Sequence, residues 1–515
     1  MNYPKAYNAA ADLVDVHYDA PHADKPAFID PNRTLTYREL VQESNRFANL
    51  CTTYGIARES RLAIIMLDTI AFPTVFWGAI KAGVIPIPLN TLLTTEQYGY
   101  VLSDSRAKAV VVSAALLDVI RPLLGKLPDL RQVFVDGTDV PPFALPLQSE
   151  MTSNSPVYTP IATNADETAF WLYSSGSTGM PKGTRHVHTS LRETARLYGR
   201  PVAGFGGADV VFSAAKLFFA YGLGNAMTFP LSVGATAVLL PERPTPQSVF
   251  RTLKAHQPTI FCGVPTLYAA ILNDPSCTPE NGSARLRRCI SAGEALPEEV
   301  GKAWRARFGV DILDGIGSTE MLHIFVSNKD GELRYGTSGK PVPGYTVRIV
   351  DEQDRDVTDG EIGELLVSGP TAADGYWNQR EKSRATFQGP WTRSGDKYMR
   401  DKDGYLTYQG RTDDMFKVSG IWVSPFEVES ALISHDAVLE AAIVAKEDFD
   451  GLIKPKAVVV LKPGRSADDA LTNELQEHVK AKAGPWKYPR WIVYVDNLPK
   501  TATGKIQRFK LRQSA

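Results

Sequence analysis

A chain of 515 residues, 43% of them hydrophobic, is long enough for two or three domains with sizeable cores. Its formal net charge of −1 gives no long-range attraction for nucleic acid or an anionic membrane, so a polyanion must be held at a local site. Small nucleotides meet that condition; a genome does not.

The N-terminal MNYPKAYNAAADLVDVHYDA has no apolar stretch behind a basic start, which argues against a secretory signal and leads to the expectation of a cytoplasmic protein. Between Leu62 and Leu92 come LAIIML, an amphipathic TIAFPTVFWGAIKAG and VIPIPL, followed by a polar helical stretch and AVVVS, which is βαβ punctuation. Asp68, Pro73, Lys81, Pro86 and Pro88 interrupt that apolar region before it reaches about twenty residues, so no membrane span is expected. FWLYSS then reads as a strand entering YSSGSTGMPKG, Tyr173 to Gly183, a loop suited to wrapping phosphate. Gly176 and Gly179 free the backbone to turn its N–H groups on an anion, Ser174, Ser175, Ser177 and Thr178 add hydroxyl donors, and Lys182 adds a positive charge. It is not a Walker A loop, because Lys182 is followed by Gly183 rather than directly by Ser or Thr.

Apolar runs VVFSAA, ATAVLL, TIFCGV, RCISAG and VDILDG continue the alternation, and after Thr346 shorter strands, TVRIVDE and GELLVSG, predict a small β-rich subdomain. Around Arg411 to Asp414 the sequence becomes charged and turn-like. Beyond it, VLEAAIVA, KAVVVLK and a helix over 468–482 predict a separate unit. The expected fold is α/β: a large N-terminal region of mixed or parallel sheets flanked by helices plus the small β subdomain, then a small mobile C-terminal α+β domain, with domains 1–411 and 412–515. Ten residues follow Lys505, so no appended carrier domain is expected. Cys51, Cys262, Cys277 and Cys289 have no CxxC spacing and read as reduced core thiols, with no structural metal expected.

Three segments carry chemistry beyond the glycine loop. Between Ala214 and Leu240 there is no Asp or Glu to pair with an ammonium, while Phe218, Phe219, Tyr221 and Phe229 alternate with Ala220, Gly222 and Gly224 as in a slot for a flat ring; an aromatic core strand is the plainer reading. DGIGSTE, Asp314 to Glu320, mimics a dinucleotide fingerprint but has Glu320 where the third glycine belongs. His186 and His188 share a face at strand spacing, yet two histidines without a carboxylate make a weak metal site.

The glycine loop, DGIGSTE, RSGDKY with YQGRTDDMFKVSG, and PKTATGKIQR, in this order over nearly the whole chain, resemble the adenylate-forming superfamily of acyl-CoA synthetases, peptide-synthetase adenylation domains and luciferases. Ser213 to Leu231, with GSTEMLHIF, looks like the aryl-CoA branch, near bacterial benzoate-CoA ligases. The resemblance implies an ATP-dependent ligase that turns benzoate or a ring-substituted benzoate into its CoA thioester through an acyl-adenylate, releasing AMP and pyrophosphate. The alternatives are an adenylation enzyme loading a carrier protein and a noncatalytic acyl- or nucleotide-binding regulator.

By the same resemblance the glycine loop holds the β- and γ-phosphates, Thr319 contacts the α-phosphate and Glu320 holds Mg²⁺. Ala292, Gly293 and Glu294 with Asp314, Gly315 and Ile316 form the adenine slot, although relatives often carry a stacking aromatic where this chain has Ile316. Asp396, assisted by Arg411, accepts the ribose hydroxyls. Lys505 bridges the acid's carboxylate and the α-phosphate. Ala220, Tyr221, Gly222, Gly317 and His323 line the ring pocket, Lys417, Gly420 and Trp422 line the coenzyme A tunnel, and Asp413 is the hinge about which the small domain rotates. The implied partners are an aromatic acid, ATP and CoA, together with a homodimer mate and a lysine acetyltransferase acting on Lys505.

Overall fold

Runs that are apolar on both faces need cover on both sides, and helices provide it. In the computed structural model, which describes residues 3–174, 180–418, 421–449, 452–500 and 506–513, LAIIM and AVVVS become strands Arg61–Ile65 and Ala109–Ser113. They lie in a five-stranded parallel sheet with Ile85–Pro88, Gln132–Asp136 and Leu145–Pro146. Helix Ala71–Lys81 connects Arg61–Ile65 to Ile85–Pro88 and buries Phe72, Phe76 and Trp77.

A nine-stranded sheet forms the other large layer. Its central strands, Pro26–Ile29, Thr236–Val238, Val210–Ser213, Ile260–Gly263, Arg288–Ser291 and Ile312–Gly317, run parallel, and antiparallel strands flank them. The register places Gly263 beside Ser291 and Ser291 beside Asp314, so three strand ends present one row of residues. Ligands of open α/β sheets bind beyond such carboxyl ends.

Between the layers lies an antiparallel hairpin of Thr168–Ser174 and Lys182–Val187, edged by the two-residue strand Gly375–Tyr376. Ser174 pairs with Lys182, so the hairpin carries the glycine loop at its tip. Past residue 346 the expected change to antiparallel strands occurs, and Asp396 pairs with Arg411 in that sheet. The C-terminal part packs helices Pro425–Ile433 and Asp469–Ala483 on strands Val438–Glu447, Ile453–Leu461 and Trp491–Tyr494. Asp468 caps its helix by accepting from the Leu471 N–H, which fixes the start that the sequence suggests. The two parts meet where Ser424 Oγ donates to the Gln409 carbonyl and Phe426 packs edge-on to Tyr408.

Two readings of local structure change. The strand ends at Val187 and His188 opens helix His188–Thr194, so the two histidines do not share a strand face. The ring-slot segment is helical, with a wide π-type turn over Gly224–Thr228 between helices Ala220–Leu223 and Phe229–Val233. All four cysteines are buried thiols, and among the described residues no helix is long and apolar enough to cross a membrane.

Candidate active site

The hairpin and the Ser318–Glu320 turn bring the first set of charges together. Lys182 Nζ lies 3.9 Å from Glu320 Oε1, and both side chains are largely buried, at 18% and 17% exposure. Burial pulls the Lys182 ammonium below the usual lysine range, while Glu320 acts in the opposite sense. Ser174 Oγ donates to Glu320 Oε1 at 3.4 Å, and Tyr376 Oη donates to the same oxygen at 2.7 Å. The backbone of Thr319 is held from behind: buried His186, stacked on Phe170, has Nε2 2.9 Å from the Thr319 carbonyl, and burial lowers its pKa to about 4, so the neutral ring donates there. His188 instead accepts from the Ala9 N–H through Nδ1. The two histidines thus have separate partners and form no metal pair.

A hard cation that keeps waters and phosphate oxygens as ligands needs only one or two carboxylates, which Glu320 satisfies. Among the described residues no group of three or more His, Cys, Asp or Glu side chains gathers to hold a metal alone.

At the strand ends, Gly293 has φ +99° and its added Cβ would meet nothing nearer than 3.9 Å, which leaves room for a flat group beside Ala292 and Glu294. Asp314 is fully buried, and burial pushes its carboxyl up to about 8. Its Oδ2 accepts from the Leu296 N–H at 3.4 Å, and the neighbouring Ser291 side chain and Gly315 backbone also favour its charged form, against the larger effect of burial. Ile316 lies half-buried one position beyond Gly315 on the same strand. Across the site, buried Asp396 receives Arg411 Nη1 at 2.9 Å, and Gly395 turns the chain beside it at φ +71°. Asp396 raises the Arg411 pKa further, so the guanidinium stays charged.

The ring end differs. Tyr221 Oη lies 2.9 Å from the Ile290 carbonyl and 3.1 Å from that of Gly263, so its hydroxyl is engaged by the strand ends, while its ring lies 5.7 Å from that of His323. His323 sits 3% exposed, with Nε2 3.3 Å from the Tyr221 carbonyl and its ring 4.5 Å from Phe229 and 5.2 Å from Tyr198. Burial lowers its pKa to about 3, which makes it a neutral wall. Gly317 is required where the chain passes His323, since a Cβ would lie 2.6 Å from the His323 carbonyl oxygen. One turn, 317–323, thereby presents Glu320 to the charged end and His323 to the apolar end.

Ser175, Gly176, Ser177, Thr178, Gly179, Gly420 and Lys505 lie outside the described residues. Lys417 and Trp422 pair across the hairpin of Phe416–Val418 and Ile421–Val423. Asp413 sits where the two parts join, and its carbonyl accepts from Arg512 Nη2 at 3.4 Å. Tyr376, His186 and Tyr198 were not read as site residues. Their contacts to Glu320, Thr319 and His323 span long stretches of chain, and only the YSSGSTGMPKG–GSTE partnership hinted that something must join them.

Residues 17–377 match the model for the AMP-binding enzyme family and residues 427–505 the model for its C-terminal domain. The chain belongs to the AMP-binding enzyme family. A benzoate–CoA ligase of Thauera aromatica is 58% identical, over 100% of this chain and 97% of its own length. A 4-hydroxybenzoate–CoA/benzoate–CoA ligase of Rhodopseudomonas palustris is 55% identical, over 98% and 94%. Among solved AMP-binding enzymes and their neighbours, a benzoate CoA ligase from Burkholderia xenovorans superimposes with a TM-score of 0.92 at 51% identity, covering 98% of this chain and 100% of that one. An anthranilate CoA ligase in complex with anthranoyl-AMP gives 0.96 at 42% identity, covering 100% and 99%.

Proposed function

We propose that this protein is an ATP-dependent aryl-CoA ligase that acts on benzoate or a ring-substituted benzoate. The observation that carries this reading is the turn 317–323, with a carboxylate beside a lysine at one end and a neutral histidine among aromatic rings at the other. A carboxylate is a poor electrophile until it has a better leaving group. Attack by one carboxylate oxygen on the α-phosphorus of ATP displaces pyrophosphate, and attack by the CoA thiol on the resulting acyl-adenylate displaces AMP.

In this assignment Ser174 and Lys182, with Ser175 to Gly179, hold the β- and γ-phosphates and Thr319 faces the α-phosphate. Asp314, Ser291 and Gly293 receive the base, and Asp396 the ribose. Glu320 holds Mg²⁺, which when bound neutralises charge on the phosphates. Lys505 bridges the two anions before they react. Ala220, Tyr221, Gly222 and His323 grip the ring, and the slot has no carboxylate to hold an ammonium. Lys417, Gly420 and Trp422 guide the pantetheine arm. A carrier-loading enzyme shares the first half-reaction, and the high overall similarity to CoA ligases favours CoA as the thiol.

The large part, 1–411, builds the nucleotide and acid sites and the small part, 412–515, brings Lys505 and the tunnel segment in turn, with Asp413 as hinge. Proline fixes φ, so Asp413→Pro should hold one orientation and separate the half-reactions by at least about a hundredfold. Equal loss in both half-reactions would make Asp413 an ordinary turn residue. Neutralisation of Lys505 by an acetyltransferase would act as Lys505→Ala should, slowing adenylate formation. The test of the whole reading is a panel of aromatic acids and octanoate assayed for AMP and pyrophosphate release with and without CoA. Benzoates should exceed octanoate by about tenfold or more. ADP and orthophosphate as products would overturn it.

A further inference from the structure

Tyr376 stands between the two charged residues of the phosphate end. It belongs to the short strand Gly375–Tyr376, paired opposite Thr184 and Arg185 on the hairpin that carries Lys182. Its hydroxyl donates to Glu320 Oε1 at 2.7 Å, while Lys182 Nζ rests 4.2 Å from the centre of its ring. The direct separation of Lys182 and Glu320 is 3.9 Å, about an ångström longer than a tight charge-assisted hydrogen bond. Both charges therefore touch one phenol, the anion at its hydroxyl, closer than it lies to the lysine, and the cation over its ring face.

The phenol is itself fixed. Its side chain is 4% exposed and packs on Phe387, and its N–H donates to Ser383 Oγ at 3.0 Å. The residues on either side bind the two segments it joins. The Ala373 N–H donates to the Glu320 carbonyl at 2.8 Å, and the Trp377 N–H donates to the Gly183 carbonyl at 2.8 Å. Trp377 Nε1 donates to the Asp104 carbonyl at 2.9 Å, tying this stretch to the five-stranded sheet layer.

We propose that Tyr376 is a positioning residue that holds Lys182 and Glu320 apart, so that nucleotide phosphates and their cation enter between a lysine and a carboxylate that have not collapsed into a direct pair. The inference rests on the adenylation reading above. Without the phenol, Lys182 and Glu320 close on each other, and the nucleotide must separate them before binding. The hydroxyl and the ring have distinct tasks. The hydroxyl orients the carboxylate, hence the cation; the ring seats the lysine, hence the phosphates.

Calorimetric titration with the nonhydrolysable analogue α,β-methylene-ATP, with and without Mg²⁺, separates these tasks in the parent, Tyr376→Phe and Tyr376→Leu. Tyr376→Phe keeps the ring and loses the hydroxyl. It should bind the analogue about tenfold more weakly with Mg²⁺ present and within about twofold of the parent without it. Tyr376→Leu should be weaker in both conditions, and the KM for benzoate in pyrophosphate exchange should stay within about twofold for Tyr376→Phe. A merely structural role would lower affinity alike with and without Mg²⁺, or change none of these values, and either result would overturn the inference. Tyr376→Phe, which removes a single oxygen, keeps the test decisive even where Tyr376→Leu fails to fold. A parent protein that binds no analogue overturns the adenylation reading and this inference with it; a parent that binds, with Tyr376→Phe indistinguishable from it, overturns this inference alone.

Discussion

At the charged end, Lys182 and Glu320 retain partial contact with solvent, whereas at the apolar end His323, Tyr198 and Phe229 are packed as tightly as a hydrophobic core. Under the proposed function, the difference follows from what each end would bind. Phosphates are recognised by preorganised charge, which needs ions that are held but not neutralised by each other. An aromatic ring is recognised by shape, which needs close packing and no stranded charge. Substitutions at the two ends should therefore fail in different ways: by lost charge at one, by lost space at the other.

The largest effect tests the charged end. Lys505→Ala should reduce adenylate formation by at least about a hundredfold, or about 2.7 kcal/mol, because a cation between two anions is lost from the transition state. Thioester formation from supplied benzoyl-adenylate should fall far less, since that step no longer joins two anions. Equal losses in the two half-reactions, measured separately, would overturn the proposed adenylation-specific role of Lys505.

Next comes the packed end. A Cβ on Gly224 would lie 2.4 Å from His323 Cδ2 and 2.9 Å from Phe229 Cζ, inside the wide turn that walls the slot. Gly224→Ala should cost about 1–3 kcal/mol of stability through overpacking. In the folded fraction the displaced His323 should raise the KM for benzoate by about tenfold and leave that for ATP within about twofold. A matching rise in the KM for ATP would show that the two ends are not separable in this way.

The strands and most helices were legible because each is a local pattern: AVVVS, TIFCGV and RCISAG are short apolar runs, and Asp468 marks a helix start by its own side chain. The glycine loop and GSTE stand out in the sequence for the same reason, as glycine, hydroxyl and charge placed close together, and the structure brings Lys182 and Ser174 at the loop's ends to Glu320. Tyr376 was not. Its hydrogen bond to Glu320 joins residues separated by 56 positions, and His186 reaches Thr319 across 133. Nothing in GYW or RHVH announces such partners, because they are chosen by how the hairpin lies against the sheet. The wide turn over Gly224–Thr228 was hidden too, since GNAMT carries no signal that separates it from an ordinary helix.

The smallest effect concerns Asp314, which lies on the strand between the two ends and tests which set of rules governs the proposed base slot. Its carboxyl is fully buried and its pKa is pushed up to about 8, so the folded chain keeps a proton that the unfolded chain releases near pH 4. Where the folded state binds more protons, stability falls as pH rises. Asp314 therefore contributes a loss of stability between about pH 4 and pH 8, and Asp314→Asn should flatten it. Tyr198, Tyr221 and Tyr398, which feel this carboxyl, are held neutral well beyond that range by burial. His186 and His323 act in the opposite sense. Burial lowers their pKa values to about 4 and about 3, so the unfolded chain binds their protons first and stability rises with pH up to the ordinary histidine range. The informative quantity is thus the difference between variant and parent in urea midpoint, followed from pH 5.5 to pH 8. A difference that moves in favour of the variant as pH rises would mean the base slot keeps its polar groups neutral, as the ring end does. A difference that stays constant would mean Asp314 is ionised throughout, and the base slot would then belong with the charged end.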